Sequence, residues 1–253
     1  MADIANPILI GILAGLIPVY LGLMPIPLFR RLPPHWRSLL LSFSTGILMF
    51  LFADVTGESV ELAKASPAGP LLFVIGLTLG LVGPALIFHH RRGSFVSPTS
   101  PGSSALAGSD SKLFTAYMIA FGVGLHNFGE GLALGAAYAA GEFALTTALV
   151  VGFALHNGTE GLGIAGPVSD MPMRLRQPLT MGFIAGFPTI IGSVIGSLAY
   201  SEVLGVLFFS AAGGALLFVA VELLRLSTSP RSMFAGIALG ILLMYFTGLL
   251  LSV

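Results

Sequence analysis

Residues 112–166 read KLFTAYMIAFGVGLHNFGEGLALGAAYAAGEFALTTALVVGFALHNGTEGLGIAG. The segment consists of two apolar runs, 112–138 and 143–166, and each run contains only one acidic residue. Each run is long enough to cross the hydrocarbon core of a bilayer, which takes about 20 helical residues. The segment therefore predicts two adjacent membrane-spanning helices.

Six further apolar runs flank this segment. Their bounds are 5–29, 36–57, 69–90, 178–200, 203–226 and 232–252. The chain has 253 residues, of which 55% are hydrophobic and only 9% are charged, whereas a soluble domain has roughly 25% charged residues. So few charges cannot cover a surface that faces water. The sequence thus predicts an all-α membrane protein with eight transmembrane helices, which form a single domain over residues 1–253.

The basic residues are confined to alternate loops. Of the 11 Lys and Arg residues, all except Lys64 fall in or beside the loops that join spans 1 and 2, 3 and 4, 5 and 6, and 7 and 8. Loops that carry positive charge stay in the cytoplasm, so both termini are predicted to be extracytoplasmic. The longest of these loops, about residues 93–111, is rich in Ser, Pro and Gly and is predicted to be disordered.

The composition also excludes several kinds of partner. The formal net charge is zero, so the basic excess that a nucleic-acid partner requires is missing. Cysteine is absent, which excludes disulfides and thiolate metal sites. The lipid bilayer is the partner that the composition itself predicts.

The two central spans share the pattern His-Asn-x-x-Glu-Gly-Leu, which begins at His126 and again at His156. Residues four apart lie on one helix face, so Glu130 joins His126 and Glu160 joins His156. If the two faces meet, they offer two imidazole nitrogens and two carboxylates to one ion. A carboxylate in the middle of a membrane costs roughly 2.5–3.5 kcal/mol, and a divalent cation would offset both charges. Such ligands suit Zn²⁺, and also Fe²⁺, Mn²⁺ or Co²⁺.

Other interpretations of these polar side chains stay open. The His and Glu residues could instead form a hydrogen-bonded network that packs the two helices together. Asn127 and Asn157 follow the histidines directly. They could donate hydrogen bonds to the ligands, bind a second ion, or join neighbouring helices.

On these residues the sequence resembles the ZIP (Zrt/Irt-like) family of metal-ion transporters, whose motifs on spans 4 and 5 usually read His-Asn-x-Pro-Glu-Gly. The matching residues are His126, Asn127, Glu130 and Gly131 on span 4, and His156, Asn157, Glu160 and Gly161 on span 5. The resemblance implies a divalent transition-metal transporter in the plasma membrane or a bacterial inner membrane, and not an enzyme. It implies that the ion, zinc first and iron or manganese as well, moves toward the cytoplasm by alternating access. No organic cofactor is implied, and a homodimer is implied by family analogy alone.

The sequence departs from the family pattern on four spans. On span 2, Asp54-Val-Thr-Gly-Glu58 stands where the family has a segment of the His-Leu-Leu-Pro-Glu type. Gly129 and Thr159 replace the proline that precedes each glutamate. Thr189 stands where many members have a glutamate on span 6 that helps to bind a second metal. Without that carboxylate, the sequence predicts one principal metal site.

Carboxylates near the ends of two spans are candidates for the entrance and exit of the ion. Asp54 and Glu58 lie near the outer end of span 2, where the resemblance implies a site that recruits cations. Glu222 lies near the inner end of span 7, where the resemblance implies a role at the exit. The alternatives are solvated helix-end carboxylates for the first two, and an ion pair with Arg225 for Glu222.

An intramembrane metal-dependent hydrolase is the alternative function. Such an enzyme needs an open coordination position and a general acid–base beyond the metal ligands. If all four His and Glu side chains bind the ion, no such group remains, because Asn127, Asn157 and Thr159 cannot serve. A structural or sensory metal protein is a third interpretation.

Overall fold

The computed structural model describes residues 5–95, 103–199, 202–226 and 230–249, and the regular structure within them is helical. One helix corresponds to each predicted span. Their bounds are Ala5–Phe29 (α1), Pro34–Ala63 (α2), Gly69–Phe95 (α3), Ser103–Ala139 (α4), Phe143–Ala165 (α5), Arg176–Leu198 (α6), Glu202–Leu226 (α7) and Pro230–Leu249 (α8). α1 is interrupted by a π-helical turn, Ile12–Leu16, and by a turn before its last four residues.

The surface of the helices is apolar. Among the described residues, five helices are long and apolar enough to cross a membrane, namely α1, α2, α3, α6 and α8. α7 contains a shorter apolar stretch, Gly205–Val221. Large apolar side chains such as Leu79 and Phe234 are 63% and 68% exposed, while many Ser and Thr side chains are buried. An apolar exterior is what a lipid solvent requires, so the chain is an integral membrane protein.

The helices pack as two bundles of four. The first bundle consists of α1, α4, α5 and α6, and the second consists of α2, α3, α7 and α8. The bundles meet chiefly where α4 contacts α7 and where α2 contacts α5. The same packing occurs twice within each bundle. In the first bundle, α4 packs against α6 and α5 packs against α1; in the second bundle, α3 packs against α7 and α8 packs against α2.

The glycine that follows each motif glutamate permits this close packing. A Cβ atom at Gly131 would overlap the backbone oxygen of Thr189 on α6. A Cβ atom at Gly161 would overlap the backbone oxygen of Val19 on α1. Small residues at such contacts let helix backbones approach within a membrane. The two glycines therefore set how closely the central helices approach their outer neighbours.

The connection between α3 and α4 is shorter than the sequence predicts. α3 continues to Phe95 and α4 begins at Ser103, so helical backbone covers both ends of the stretch 93–111. Residues 96–102 between them lie outside the described residues. The disorder of this loop stays a prediction.

Candidate metal centre

The motif residues of α4 and α5 converge in the interior of the first bundle. His126 and Glu130 project from α4 toward His156 and Glu160 on α5, and the four side chains are at most 4% exposed. Each helix contributes its pair because positions four apart share one face. The structure thus brings together the four residues that the repeated motif singles out.

The nitrogen-to-oxygen distances in the cluster are close to those expected around one metal ion. The Nε2 atom of His126 lies 3.3 Å from Glu130 Oε1 and 3.5 Å from Glu160 Oε1. The Nε2 atom of His156 lies 4.0 Å and 3.5 Å from the same two oxygens. A tetrahedral zinc site with bonds of about 2.1 Å has edges of about 3.4 Å. Ligand atoms of His126, Glu130 and His156 all lie within 4.8 Å of one another, so the cluster could hold a metal ion.

Hydrogen bonds do not explain this cluster. Within the described residues, neither ring nitrogen of His126 or His156 has a hydrogen-bond partner, and neither does either carboxylate oxygen of Glu160. Buried polar atoms in native proteins are nearly always satisfied. A hydrogen-bonded packing network would pair these atoms with each other. The geometry therefore suits the binding of a divalent cation better than such a network.

The two motif asparagines join the centre to the outer helices. The Nδ2 atom of Asn127 donates to the backbone oxygen of Ala185 on α6 at 3.1 Å. The Nδ2 atom of Asn157 donates to the backbone oxygen of Ala14 on α1 at 2.9 Å, and also to Glu130 Oε2 at 2.8 Å. Both asparagines are fully buried. Their amide nitrogens therefore act as helix connectors, and Asn157 also orients a carboxylate of the cluster.

The backbone carbonyl of Ala14, which accepts the hydrogen bond from Asn157, lies within the π-helical turn of α1. On α6, Asn127 bonds to the backbone oxygen of Ala185, and Gly131 contacts the backbone oxygen of Thr189. These two oxygens are four residues apart. On α1, the corresponding oxygens are five residues apart, at Ala14 and Val19. A π-helical turn inserts one residue into a helix and often marks a functional site. Sequence reasoning missed both backbone acceptors, because a carbonyl has no signature in the side-chain pattern.

The two residues that replace the family proline face the second bundle. A Cβ atom at Gly129 would overlap the ring of Phe209 on α7. The Oγ1 atom of Thr159 donates to the backbone oxygen of His156 at 2.7 Å and lies 3.0 Å from the Met244 sulfur on α8. Both replacements therefore fit the contact between the bundles.

Thr189 is the position where many ZIP members have a glutamate. Its side chain is fully buried on α6, and its Oγ1 atom has no hydrogen-bond partner within the described residues. A Cβ atom at Gly15 of α1 would overlap this side chain. A small neutral residue therefore fills the space between α1 and α6.

The candidates for entrance and exit do not belong to the cluster. Asp54 and Glu58 are exposed on α2 and form no ion pair within the part of the chain that the structure describes. The backbone of Glu222 belongs to α7, but its side chain lies outside the described residues. The roles of all three stay predictions.

Fold and site together define a class: a helical membrane protein with a buried His and Glu cluster that could hold a divalent cation. The family model described as ZIP Zinc transporter matches residues 97–248, which is more than half of the chain and includes the cluster. The chain belongs to the ZIP zinc transporter family. Proteins of this family are transporters of divalent metal ions rather than enzymes. A comparison with curated proteins gives no match.

Proposed function

We propose that this ZIP protein moves a divalent transition-metal ion across the membrane toward the cytoplasm. Zinc is the leading candidate for this ion, and iron and manganese are the alternatives. The proposed ligands are His126, Glu130, His156 and Glu160. The observation that carries this proposal is the spacing of their donor atoms, 3.3–4.0 Å, close to the edges of a tetrahedral zinc site. A cation at their centre would bond the Nε2 nitrogen of each histidine and offset two buried negative charges.

One ion at a time is the stoichiometry that the neighbouring side chains support. A second divalent ion next to the first would need further negative ligands. Asn127, Asn157 and Thr189 are buried beside the cluster, and all three are neutral. Their roles in the proposal are to connect helices and, for Asn157, to orient Glu130.

The two bundles supply the moving parts for alternating access. All four proposed ligands lie on α4 and α5, so the ion travels with the first bundle. α2 and α7 of the second bundle form the opposite wall. A shift of one bundle against the other would expose the cluster to one side of the membrane and then to the other.

The proposed topology follows from the basic loops. All eight helices span the membrane, both termini are extracytoplasmic, and the loops that carry Arg and Lys face the cytoplasm. Asp54 and Glu58 then recruit cations on the outer side, and Glu222 receives them on the inner side. The membrane is the plasma membrane or a bacterial inner membrane. By family analogy, the protein forms a homodimer.

The hydrolase alternative is not favoured by the geometry. General acid–base catalysis needs a group besides the metal ligands that can exchange a proton. Among the described hydrogen bonds, the one side chain outside the four proposed ligands that bonds to the cluster is the amide of Asn157. An amide does not exchange protons near neutral pH, so ion transfer suits this site better.

The experiment that tests the proposal is Zn²⁺ uptake into proteoliposomes that contain a fluorescent zinc indicator. We expect uptake by the parent protein and no uptake by Glu160→Gln, since that change removes a charged ligand while keeping the size of the side chain. Glu142→Gln is the matched control, because Glu142 is an exposed carboxylate in the α4–α5 connection. Parallel assays with Fe²⁺ and Mn²⁺ give the range of ions.

Two outcomes would contradict the proposal. Normal uptake by Glu160→Gln would show that Glu160 is not a ligand that transport requires. Zn²⁺ binding by the parent protein without uptake of any of the three ions, under an imposed gradient, would favour a sensory or structural metal protein. Size-exclusion profiles of each variant show whether it has folded.

A further inference from the structure

A cavity with a mixed polar and apolar lining lies between the two bundles, at the end of the molecule that carries the basic loops. It has a volume of about 230 Å³. The first turns of α2 line one side, and α4 together with the segment that follows α5 lines the other side. The polar residues in this lining are Arg37, Ser38, Lys112, Ser169 and Asp170.

The charges that line this cavity do not balance. Lys112 on α4 forms an ion pair with Asp170, which follows α5. Arg37 forms no ion pair with any residue that the structure describes, although its side chain is only partly exposed. Among the described side chains that line the cavity, one positive charge is therefore left over, and an anion would balance it.

The hydrogen-bond donors around Arg37 suit a phosphate group. A guanidinium presents a planar fork of N–H groups that matches two phosphate oxygens. The hydroxyl group of Ser169 adds a donor, and the hydroxyl group of Ser38 adds a second one when it accepts, rather than donates, its hydrogen bond with Ser232. α2 begins at Pro34 with no side-chain cap and with no acid in its first turn, so the positive end of its helix dipole is not offset.

The residues near the cavity are of the kinds that are typical of the depth of lipid headgroups. Trp36, next to Arg37, is 50% exposed, and Trp is enriched where a membrane meets water. Leu175, five residues after Asp170, is 76% exposed. Cationic and apolar side chains in one belt suit a phospholipid, whose phosphate and acyl chains need both.

We propose that this cavity binds the phosphate group of an anionic phospholipid, with Arg37 as its principal ligand. The bound phosphate contacts α2 of the second bundle through Arg37 and Ser38, and it contacts the first bundle through Lys112 and Ser169. It therefore bridges the bundles and stabilises the arrangement in which they meet here. The lining of this cavity contains none of the four proposed metal ligands. A test of phosphate binding here is therefore separate from a test of metal transport.

The test is thermal unfolding of the purified full-length protein in a neutral detergent. Three probes are titrated: short-chain phosphatidylglycerol, short-chain phosphatidylcholine and inorganic phosphate. We expect phosphatidylglycerol to raise the Tm in a saturable manner and at lower concentration than phosphatidylcholine, because the cavity has an excess positive charge. Arg37→Gln should weaken this apparent affinity about tenfold or more, since a bidentate charged contact is lost.

Arg31→Gln is the matched control, because Arg31 is exposed on the same side and does not line the cavity. If Arg37→Gln fails to fold, Arg37→Lys replaces it, and a loss of affinity is still expected because Lys has no fork. Equal losses in the Arg31 and Arg37 variants would overturn the proposal, and so would the absence of saturation. A shift that depends on Arg37 with inorganic phosphate alone would keep the phosphate site but overturn the lipid as its source.

Discussion

Asn157 connects the candidate metal centre to α1. Its amide nitrogen donates to Glu130 Oε2 at 2.8 Å and to the Ala14 oxygen at 2.9 Å. Asn127, at the same position of the repeated motif, donates to the Ala185 oxygen on α6. The two asparagines therefore differ in one respect, because only the amide nitrogen of Asn157 contacts a proposed metal ligand.

Replacing Asn157 with Ala should weaken Zn²⁺ binding while leaving the four ligands in place. Partners that orient a metal ligand typically contribute 10–100-fold to affinity, so we expect a loss of about that size. Isothermal titration calorimetry with the purified protein measures it. Asn127→Ala is the matched control and should have a much smaller effect. Equal losses in the two variants would show that both asparagines act only by joining helices.

The sequence is sufficient to predict the four clustered side chains, and the reason is periodicity. His126 and Glu130 must share a face of any helix that contains them, and His156 with Glu160 repeats the arrangement. The acceptors of Asn127 and Asn157 could not be predicted in the same way. They are backbone oxygens, and only the packing of α1 and α6 shows which ones lie within reach.

At the scale of single helices, the glycine after each motif glutamate determines how two helices pack. Gly161 lies against the Val19 oxygen of α1 and Gly131 against the Thr189 oxygen of α6. Each neighbour is a backbone atom within a helix, so it cannot move aside as a flexible side chain would. These contacts fix the distance between the centre and the outer helices.

Gly161→Ala should destabilise the protein, because the new methyl group would overlap the backbone of α1. Overpacking of this kind costs about 1–3 kcal/mol in the free energy of unfolding. Gly57→Ala on α2 is the control, since a Cβ atom at Gly57 has no neighbour within 4 Å. Ala has the higher helix propensity, by about 1 kcal/mol, so the control should be neutral or stabilising. Thermal unfolding in detergent compares the two, and a control as unstable as Gly161→Ala would contradict the explanation.

At the scale of the whole molecule, the division into two bundles could not be predicted from the sequence. Apolar spans with frequent glycine occur throughout the chain, so composition does not distinguish one bundle from the other. Contacts between helices far apart in sequence, such as α4 with α6 and α2 with α8, define the division. The number of helices, by contrast, follows from the length of each apolar run.

A disulfide across the boundary between the bundles should stop uptake if the bundles move. A Cβ atom at Gly122 of α4 would lie 3.5 Å from the Ala215 Cβ atom of α7, within the range of about 3.5–4.5 Å that disulfides require. The chain has no cysteine of its own. We therefore expect the variant with Gly122→Cys and Ala215→Cys to lose Zn²⁺ uptake on oxidation and to regain it on reduction.

A second disulfide tests whether any cross-link would have the same effect. Gly76→Cys with Ser210→Cys joins α3 to α7 within the second bundle, where the corresponding Cβ distance is 3.1 Å, so the two helices must separate by a few tenths of an ångström to reach the disulfide range. This variant should retain uptake after oxidation. Retention by both cross-linked variants would mean that the ion passes without relative movement of the bundles.

The π-helical turn in α1 has an energetic consequence for the transport cycle that we propose. A carrier built from two inverted halves can change orientation by exchanging the conformations of those halves. With identical halves, its two orientations would be equally populated in the absence of an ion. Here α1 contains the extra residue within Ile12–Leu16, whereas α6 is α-helical over Arg176–Leu198. We expect the ion-free protein to favour one resting orientation, a preference set by its own chain even when no membrane potential or metal gradient is present.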